Sequence, residues 1–316
     1  MPLSNDSLTL TPRTHFDGPC LTFDFPGMLI GVAEYEEGPT GCTVFRFPGG
    51  VPTAIDVRGG MVGTTQENDY CSALCFAGGS LLGLEAASGV GVGIFGQGKH
   101  SLERGMGVIN GAIIYDFGGR DNTIYPDKAL GRAALESAQA GIFPLGARGA
   151  GRSAGVGGVL GRERAESSGH GGAFREVAGL KVGVFTVVNA LGAVYNRDGQ
   201  VVRGNRHPDT NQRHDVVADL ETEIASGKYS EPRSGNTTLS LLVTNQKLPM
   251  EALTQLARQV HSSMARAIRP FHTMYDGDVL YAVTTNSVES QLSVAGLGLI
   301  ASELAWDAIL AAVTQD

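Results

Sequence analysis

The chain has 316 residues, enough for one large domain or two modest ones with a sizeable core. Hydrophobic residues make up 42% and charged residues 18%, which excludes disorder as a description of the whole chain. A net charge of −8 and a pI near 5.4 argue against a nucleic-acid partner, which would need a basic face for phosphates.

Residues 1–20 are polar and predict an irregular arm without the basic-then-apolar pattern of a signal peptide. Residues 42–47 (CTVFRF) read as a strand closed by Pro48-Gly49-Gly50. Gly78-Gly79-Ser80 opens a small-residue apolar stretch to Phe95, compatible with a buried helix. Residues 108–117 (VINGAIIYDF) predict a buried strand, and 127–138 a short amphipathic helix with Pro126 ahead of it and Gly141 after it. Residues 146–172 are a Gly/Ala/Ser/Arg loop, too glycine-rich for a stable helix. Strands are expected at 181–188 and 192–195, flanking Asn189.

Residues 203–236 are polar, carry Pro208 and Pro232, and predict an exposed linker or disordered segment, with 205–236 as its extent. A strong strand follows at 237–244 (TTLSLLVT). Over 249–268, Leu253, Leu256, Ala257, Val260, Met264 and Ile268 recur at steps of three and four and predict a helix, with Pro249 suited to its first turn. A further strand at 279–285 and a helix at 292–313, apolar on all sides and so buried, complete the chain. No apolar run reaches the ~18 residues of a membrane span. The mixed order of elements favours a layered α/β or α+β domain.

Most familiar chemistry finds no support in the residues. Gly149-Ala150-Gly151 and the alternating glycines at 89–93 lack the strand and the Gly-Lys-Ser/Thr of a phosphate loop. The seven histidines form no metal-ligand spacing, and His261 and His272, flanking the end of the long helix, read as capping or structural residues. Cys20, Cys42, Cys71 and Cys75 form no zinc pattern, and no serine sits in a GxSxG elbow. The thiols suit a reducing, cytoplasmic setting.

The junction Gly235-Asn236-Thr237-Thr238 admits two readings. One is a Gly-Asn turn before a β-prone strand. In the other, a threonine at a strand start attacks the carbonyl before it and splits the chain. It then keeps a free α-amine, whose pKa of about 7.7–8.0 suits it as the hydroxyl's own general base. Gly235 would let the chain bend there.

Long segments carry a resemblance that bears on this choice. They are 23–41 (FDFPGMLIGVAEYEEGPTG), 115–117 with 125–136 (YPDKALGRAALE), 201–205 (VVRGN), 235–238 (GNTT), 259–264 (QVHSSM), 270–278 (PFHTMYDGD) and 300–309 (IASELAWDAI). Over about residues 21–316 the chain resembles the self-processing N-terminal-nucleophile family of L-aminopeptidase/D-Ala-esterases and β-aminopeptidases, and within it the nylon-oligomer hydrolases. The resemblance implies one structural domain with a layered α-β-β-α sandwich. It implies cleavage between Asn236 and Thr237 into an α part (1–236) and a β part (237–316). Thr237 would be the nucleophile, Asn189 a holder of the developing oxyanion, Tyr115 a site-lining donor, and Asp276 and Asp278 acidic neighbours of the nucleophile. Read locally, Asn189 is a turn residue between strands and Tyr275-Asp276-Gly277-Asp278 a hairpin turn.

The implied activity is hydrolysis of linear amides, 6-aminohexanoate oligomers first among them. Exo-acting aminopeptidase or esterase activity and threonine-based acetyl transfer are the alternatives. No cofactor or metal is implied; the partners are an amide substrate and copies of the chain in a homotetramer, with no nucleic acid and no membrane. One departure stands out: Gly158 takes the place of a lysine that the nylon-oligomer hydrolases carry near the nucleophile, which implies slow or partial self-cleavage.

Overall fold

The computed structural model describes residues 2–65, 69–98, 107–229, 231 and 235–314. His100 and part of the predicted linker, residues 230 and 232–234, lie outside the described residues.

Eight strands form the core. They are β1 (Leu29–Tyr35), β2 (Thr40–Val57), β3 (Tyr70–Ala77), β4 (Ile109–Ile113), β5 (His170–Val177), β6 (Leu180–Asn189), β7 (Thr237–Gln246) and β8 (Val279–Val288). They are hydrogen-bonded in the order β4-β3-β2-β8-β7-β6-β5, with β1 on the other side of the first half of β2. Among the described residues five α-helices accompany them: α1 (Glu85–Gln97), α2 (Lys128–Glu136), α3 (Val216–Ala225), α4 (Met250–Ser263) and α5 (Val294–Ala311).

Strand β2 joins the two halves. Its first part pairs with β1 and β3, its last part with β8, and its register against β3 jumps between Arg46 and Val51. The Pro48-Gly49-Gly50 segment, expected to close this strand, instead sits inside it as the irregularity. Proline and glycine are tolerated where ladder bonds are already broken.

Side-chain alternation then separates the layers. Phe45, Leu74, Phe76, Phe185, Leu239, Leu241, Val243 and Tyr281 fill one core between the two halves of the sheet. Phe45 and Phe185 stand 5.7 Å apart there, and Phe143 and Phe185 5.1 Å. The opposite faces meet helices. Cys42, Val44, Ala73 and Cys75 pack with Ala86, Val90, Leu130 and Ala134 of α1 and α2. Val182, Val184, Leu242 and Leu280 pack with Leu253, Leu256, Val260, Leu304 and Ile309 of α4 and α5. The result is the α-β-β-α sandwich. Strand β7 is buried on both faces, its Thr238, Ser240 and Thr244 as fully as its leucines.

Close approach explains much of the glycine. A Cβ on Gly171 would come within 1.8 Å of the Ala308 carbonyl oxygen in α5, and one on Gly31 within 1.8 Å of the Ala134 oxygen in α2. At both places a helix lies directly on strand backbone.

Several expectations need correction. The 205–236 linker contains α3, whose N-cap Asp215 accepts from the N–H groups of Val217 and Ala218. Arg164 forks onto Asp219 and Glu223, one turn apart on α3, at 2.6 Å each. Asn205 is fully buried, so the segment is not uniformly exposed. The 249–268 helix stops at Ser263, and Ile268 enters a two-residue strand paired with Val194. The glycine-rich loop ends at β5 rather than at residue 172. The last helix, expected to be buried all round, exposes Leu299. Its 18 residues have a mean hydropathy of 1.5, long and apolar enough for a membrane span. However, Glu303 and Asp307 pair with Arg197 and Arg266 on one side while Leu297, Leu304 and Ile309 enter the core on the other.

One buried titratable group ties the glycine-rich loop to the sheet. His170 sits between the Thr43 hydroxyl, 2.8 Å from Nε2, and the Pro144 carbonyl, 3.1 Å from Nδ1. A carbonyl only accepts, so Nδ1 carries the hydrogen and Nε2 accepts from Thr43. Thr43 Oγ1 in turn accepts the Ala150 N–H at 3.1 Å. Burial pushes the His170 pKa down to about 3. As pH falls below about 6.5, the unfolded chain takes up a proton here that the folded chain refuses, so stability is lost between roughly pH 6.5 and pH 3. By pH 5 this one group removes about 2 kcal/mol. Urea unfolding at pH 7.5 and 5.0 should show a difference smaller by about that amount in His170→Gln than in its parent. An identical pH dependence in the two proteins refutes the assignment.

Candidate active site

Strands β7 and β8 are parallel, so the segment leading into β8 arrives beside the first residue of β7. That topology brings Asp276-Gly277-Asp278 against Asn236-Thr237, with Asn236 and Asp276 bridged as parallel neighbours. Across the antiparallel β6–β7 pair, Thr237 stands opposite Asn189, the last residue of β6. Alternation puts Thr237 on the same face as Leu239 and Leu241, at the mouth of the inter-sheet core.

The Asn236 carbonyl oxygen is the focus. The Thr237 hydroxyl donates to it at 2.5 Å and the Gly277 N–H at 3.0 Å. Gly235 precedes it at φ +117°, a conformation that side chains rarely adopt. A Cβ on Gly277 would stand 2.2 Å from the Met61 carbonyl oxygen and 3.0 Å from Thr237 Oγ1, so only glycine fits there.

The two carboxylates play different parts. Asp278 accepts the Thr238 N–H at 2.7 Å on one oxygen and, on the other, Nδ1 of His272 at 2.9 Å and its main-chain N–H at 3.2 Å. Asp276 accepts the Thr273 hydroxyl at 2.6 Å, the Thr273 N–H at 2.9 Å and the Leu191 N–H at 3.3 Å. Burial, and after it the charge of Asp278, raise the Asp276 pKa to about 6.

Asn189 is clamped. Its Oδ1 accepts the Gly155 N–H at 3.0 Å, and its Nδ2 donates to the Tyr115 carbonyl at 3.0 Å. One N–H of the amide is thereby used and a second remains. Tyr115 enters through its main chain, and its Cβ lies 3.5 Å from where a Cβ of Gly235 would stand. Thr237, Asn189, Tyr115, Asp276 and Asp278 thus converge on one strand end. Neither local reading describes Asn189, which ends a strand; 275–278 is no hairpin turn either, because β8 pairs in parallel with β7. Thr237, Asp276 and Asp278 have no solvent exposure and Asn189 only 5%, so the intact chain covers its own site.

Sequence reading missed the Gly277 N–H, Thr273 and the contact between His272 and Asp278. Nothing in the spacing reveals which backbone group faces the Asn236 carbonyl. His272 could have drawn notice as a histidine six residues before Asp278. Among the described residues no cluster of His, Cys, Asp and Glu suits a metal ion.

A four-layer α-β-β-α sandwich of this kind is the fold of the N-terminal-nucleophile hydrolases. The fold matches the L-aminopeptidase D-Ala-esterase/amidase of Ochrobactrum anthropi, described as a variant of that fold. The TM-score is 0.67 at 16% identity, covering 95% of this chain and 88% of that one. The chain belongs to peptidase family S58, whose model matches residues 21–315, and it is an amide-bond hydrolase. It is 44% identical to a 6-aminohexanoate-oligomer endohydrolase of Paenarthrobacter ureafaciens, over 98% of this chain and 90% of the relative. A protein of the same name from an Agromyces strain is 45% identical with the same coverage.

Proposed function

We propose that the chain matures by cutting its own Asn236–Thr237 bond and then hydrolyses the internal amides of 6-aminohexanoate oligomers. The observation that carries this reading is the Asn236 carbonyl, which receives the Thr237 hydroxyl and the Gly277 N–H together at the head of β7.

In the first reaction Thr237 Oγ adds to the Asn236 carbonyl carbon. The oxygen gains negative charge where the Gly277 N–H already points, a contribution of about 2.7–4 kcal/mol for one such donor. Collapse breaks the C–N bond, moves the acyl group to Oγ as an ester and frees the Thr237 amine, whose nitrogen takes the proton that the hydroxyl gave up. Water then hydrolyses the ester, leaving a carboxylate on Asn236 and an α-amine on Thr237. Departure of the new chain end from Gly277 uncovers the site.

In turnover the same hydroxyl attacks a substrate amide while the α-amine takes its proton and passes it to the leaving amine. The acyl-threonine ester forms, and water attacks it to release the acid and restore Thr237. The Gly277 N–H and the remaining N–H of Asn189 are the oxyanion donors. The buried carboxylate of Asp278, one peptide group away, favours the charged form of the amine. The substrate class follows the names of the relatives that are 44–45% identical.

Intact-mass measurement during incubation tests the first step: the 33.0 kDa chain gives way to a fragment beginning TTLSLL. Digestion of a long 6-aminohexanoate oligomer tests the second, with mid-length products expected at early times. Release of monomer alone would instead identify an exo-acting aminopeptidase. Gly158→Lys is expected to speed conversion, since a Cβ there meets only Ala165 Cβ at 3.6 Å and the Gly161 oxygen at 3.7 Å. Conversion unchanged by that lysine would refute the role given to the missing ammonium.

A further inference from the structure

The loop that delivers Asp276 and Asp278 also carries half of a histidine pair, His272 partly exposed and His261 buried, that the chemistry above does not use. His272 donates from Nδ1 and from its main-chain N–H to one oxygen of Asp278, whose other oxygen accepts the Thr238 N–H. A single carboxylate therefore links His272 to the peptide group immediately after Thr237. Edge-on to His272, with ring centres 4.4 Å apart, lies His261 of α4. Its Nδ1 is 2.8 Å from Asp56 Oδ2, which also receives Arg58 Nε at 2.7 Å.

Two features of this pair do nothing for stability. The Nε2 atoms of both rings are buried without a hydrogen-bond partner among the described residues. His272 also holds φ +60°, in the left-handed region that few residues other than glycine and asparagine enter readily. Both features persist where the imidazole of His272 must meet Asp278, in a loop pinned by the Gly60 N–H on the Thr273 carbonyl and the Met61 N–H on the Asp276 carbonyl.

We propose that His272, backed by His261, is a positioning residue that holds the Asp278 carboxylate on the Thr238 N–H and thereby sets how Thr237 is presented. This rests on the Thr237 reading above.

The test uses the full chain and two substitutions that both suit φ +60°. His272→Gly removes the side-chain donor without backbone strain. His272→Asn keeps a donor, Nδ2, at the position of Nδ1. In His272→Gly, self-cleavage should slow at least about tenfold, and kcat of the cleaved enzyme should fall at least about tenfold with KM within about twofold. His272→Asn should return both to within about threefold of the parent. A merely structural histidine would not produce this split between kcat and KM or this rescue. Parental rates in His272→Gly, or an asparagine variant as slow as the glycine variant, would overturn the proposal. Thr237→Ala keeps the two readings apart. If it still cleaves, the nucleophile assignment fails; if it is inert while His272→Gly is parental, only the histidine assignment fails.

Discussion

Thr237→Ala is expected to remain a single 33.0 kDa chain on denaturing gels through any incubation, and to lose amide hydrolysis by at least about 10⁴-fold. The substitution removes one hydroxyl and one methyl from a side chain with no solvent exposure. The backbone pairing of residue 237 with Asn189 is untouched, so the strand and the fold should survive. What disappears is the only side-chain oxygen in hydrogen-bond contact with the Asn236 carbonyl among the described residues. Thr237→Ser, which keeps the hydroxyl, should still cleave. A soluble Thr237→Ala protein that yields a fragment beginning at residue 237 would end the proposal.

Gly277→Ala is expected to slow self-cleavage by about 10²–10³-fold, the effect of losing one preorganised oxyanion donor. The added methyl would stand 2.2 Å from the Met61 carbonyl oxygen, which belongs to backbone and cannot rotate away. The loop must therefore shift, and with it the Gly277 N–H that now lies 3.0 Å from the Asn236 oxygen. Because Thr237 remains, the variant should still reach the two-chain form slowly, which separates it from Thr237→Ala. The half-time of conversion by intact mass measures the effect. A variant that cleaves at the parental rate would remove Gly277 from the oxyanion site.

Both expectations depend on features read from different sources. The strand that begins at Thr237 and the helix that follows Pro249 were legible because their apolar residues repeat at the period of the element itself. Helix α3 was not. Its apolar Val216, Leu220 and Ile224 recur every four residues, but they lie among charges and between prolines, so composition outweighed period. Asp215, an N-cap followed by that spacing, was the available signal. The Pro48-Gly49-Gly50 irregularity was misread for a related reason: a strand is broken by such residues only if its ladder is intact there, and intactness is a property of its neighbours.

The candidate site divides the same way. Resemblance brought Thr237, Asn189, Tyr115, Asp276 and Asp278 together from segments more than 160 residues apart, and the fold places them at one strand end. It said nothing of which atoms meet. Tyr115 meets Asn189 through its main-chain carbonyl, and Asp278 holds the peptide group after Thr237.

Taken alone, the order of residues determined the secondary elements with a strong period and the acidic character of the chain, while the bond at which it is expected to divide came only with the family resemblance. Only the tertiary structure decided that β8 runs parallel to β7, that Gly277 therefore faces the Asn236 carbonyl, and that His272 and His261 stand behind Asp278. Periodicity is a local property carried by each segment. Which backbone amide meets which carbonyl depends on the pairing of strands distant in the chain, and that pairing is settled by burying both faces of the sheet at once.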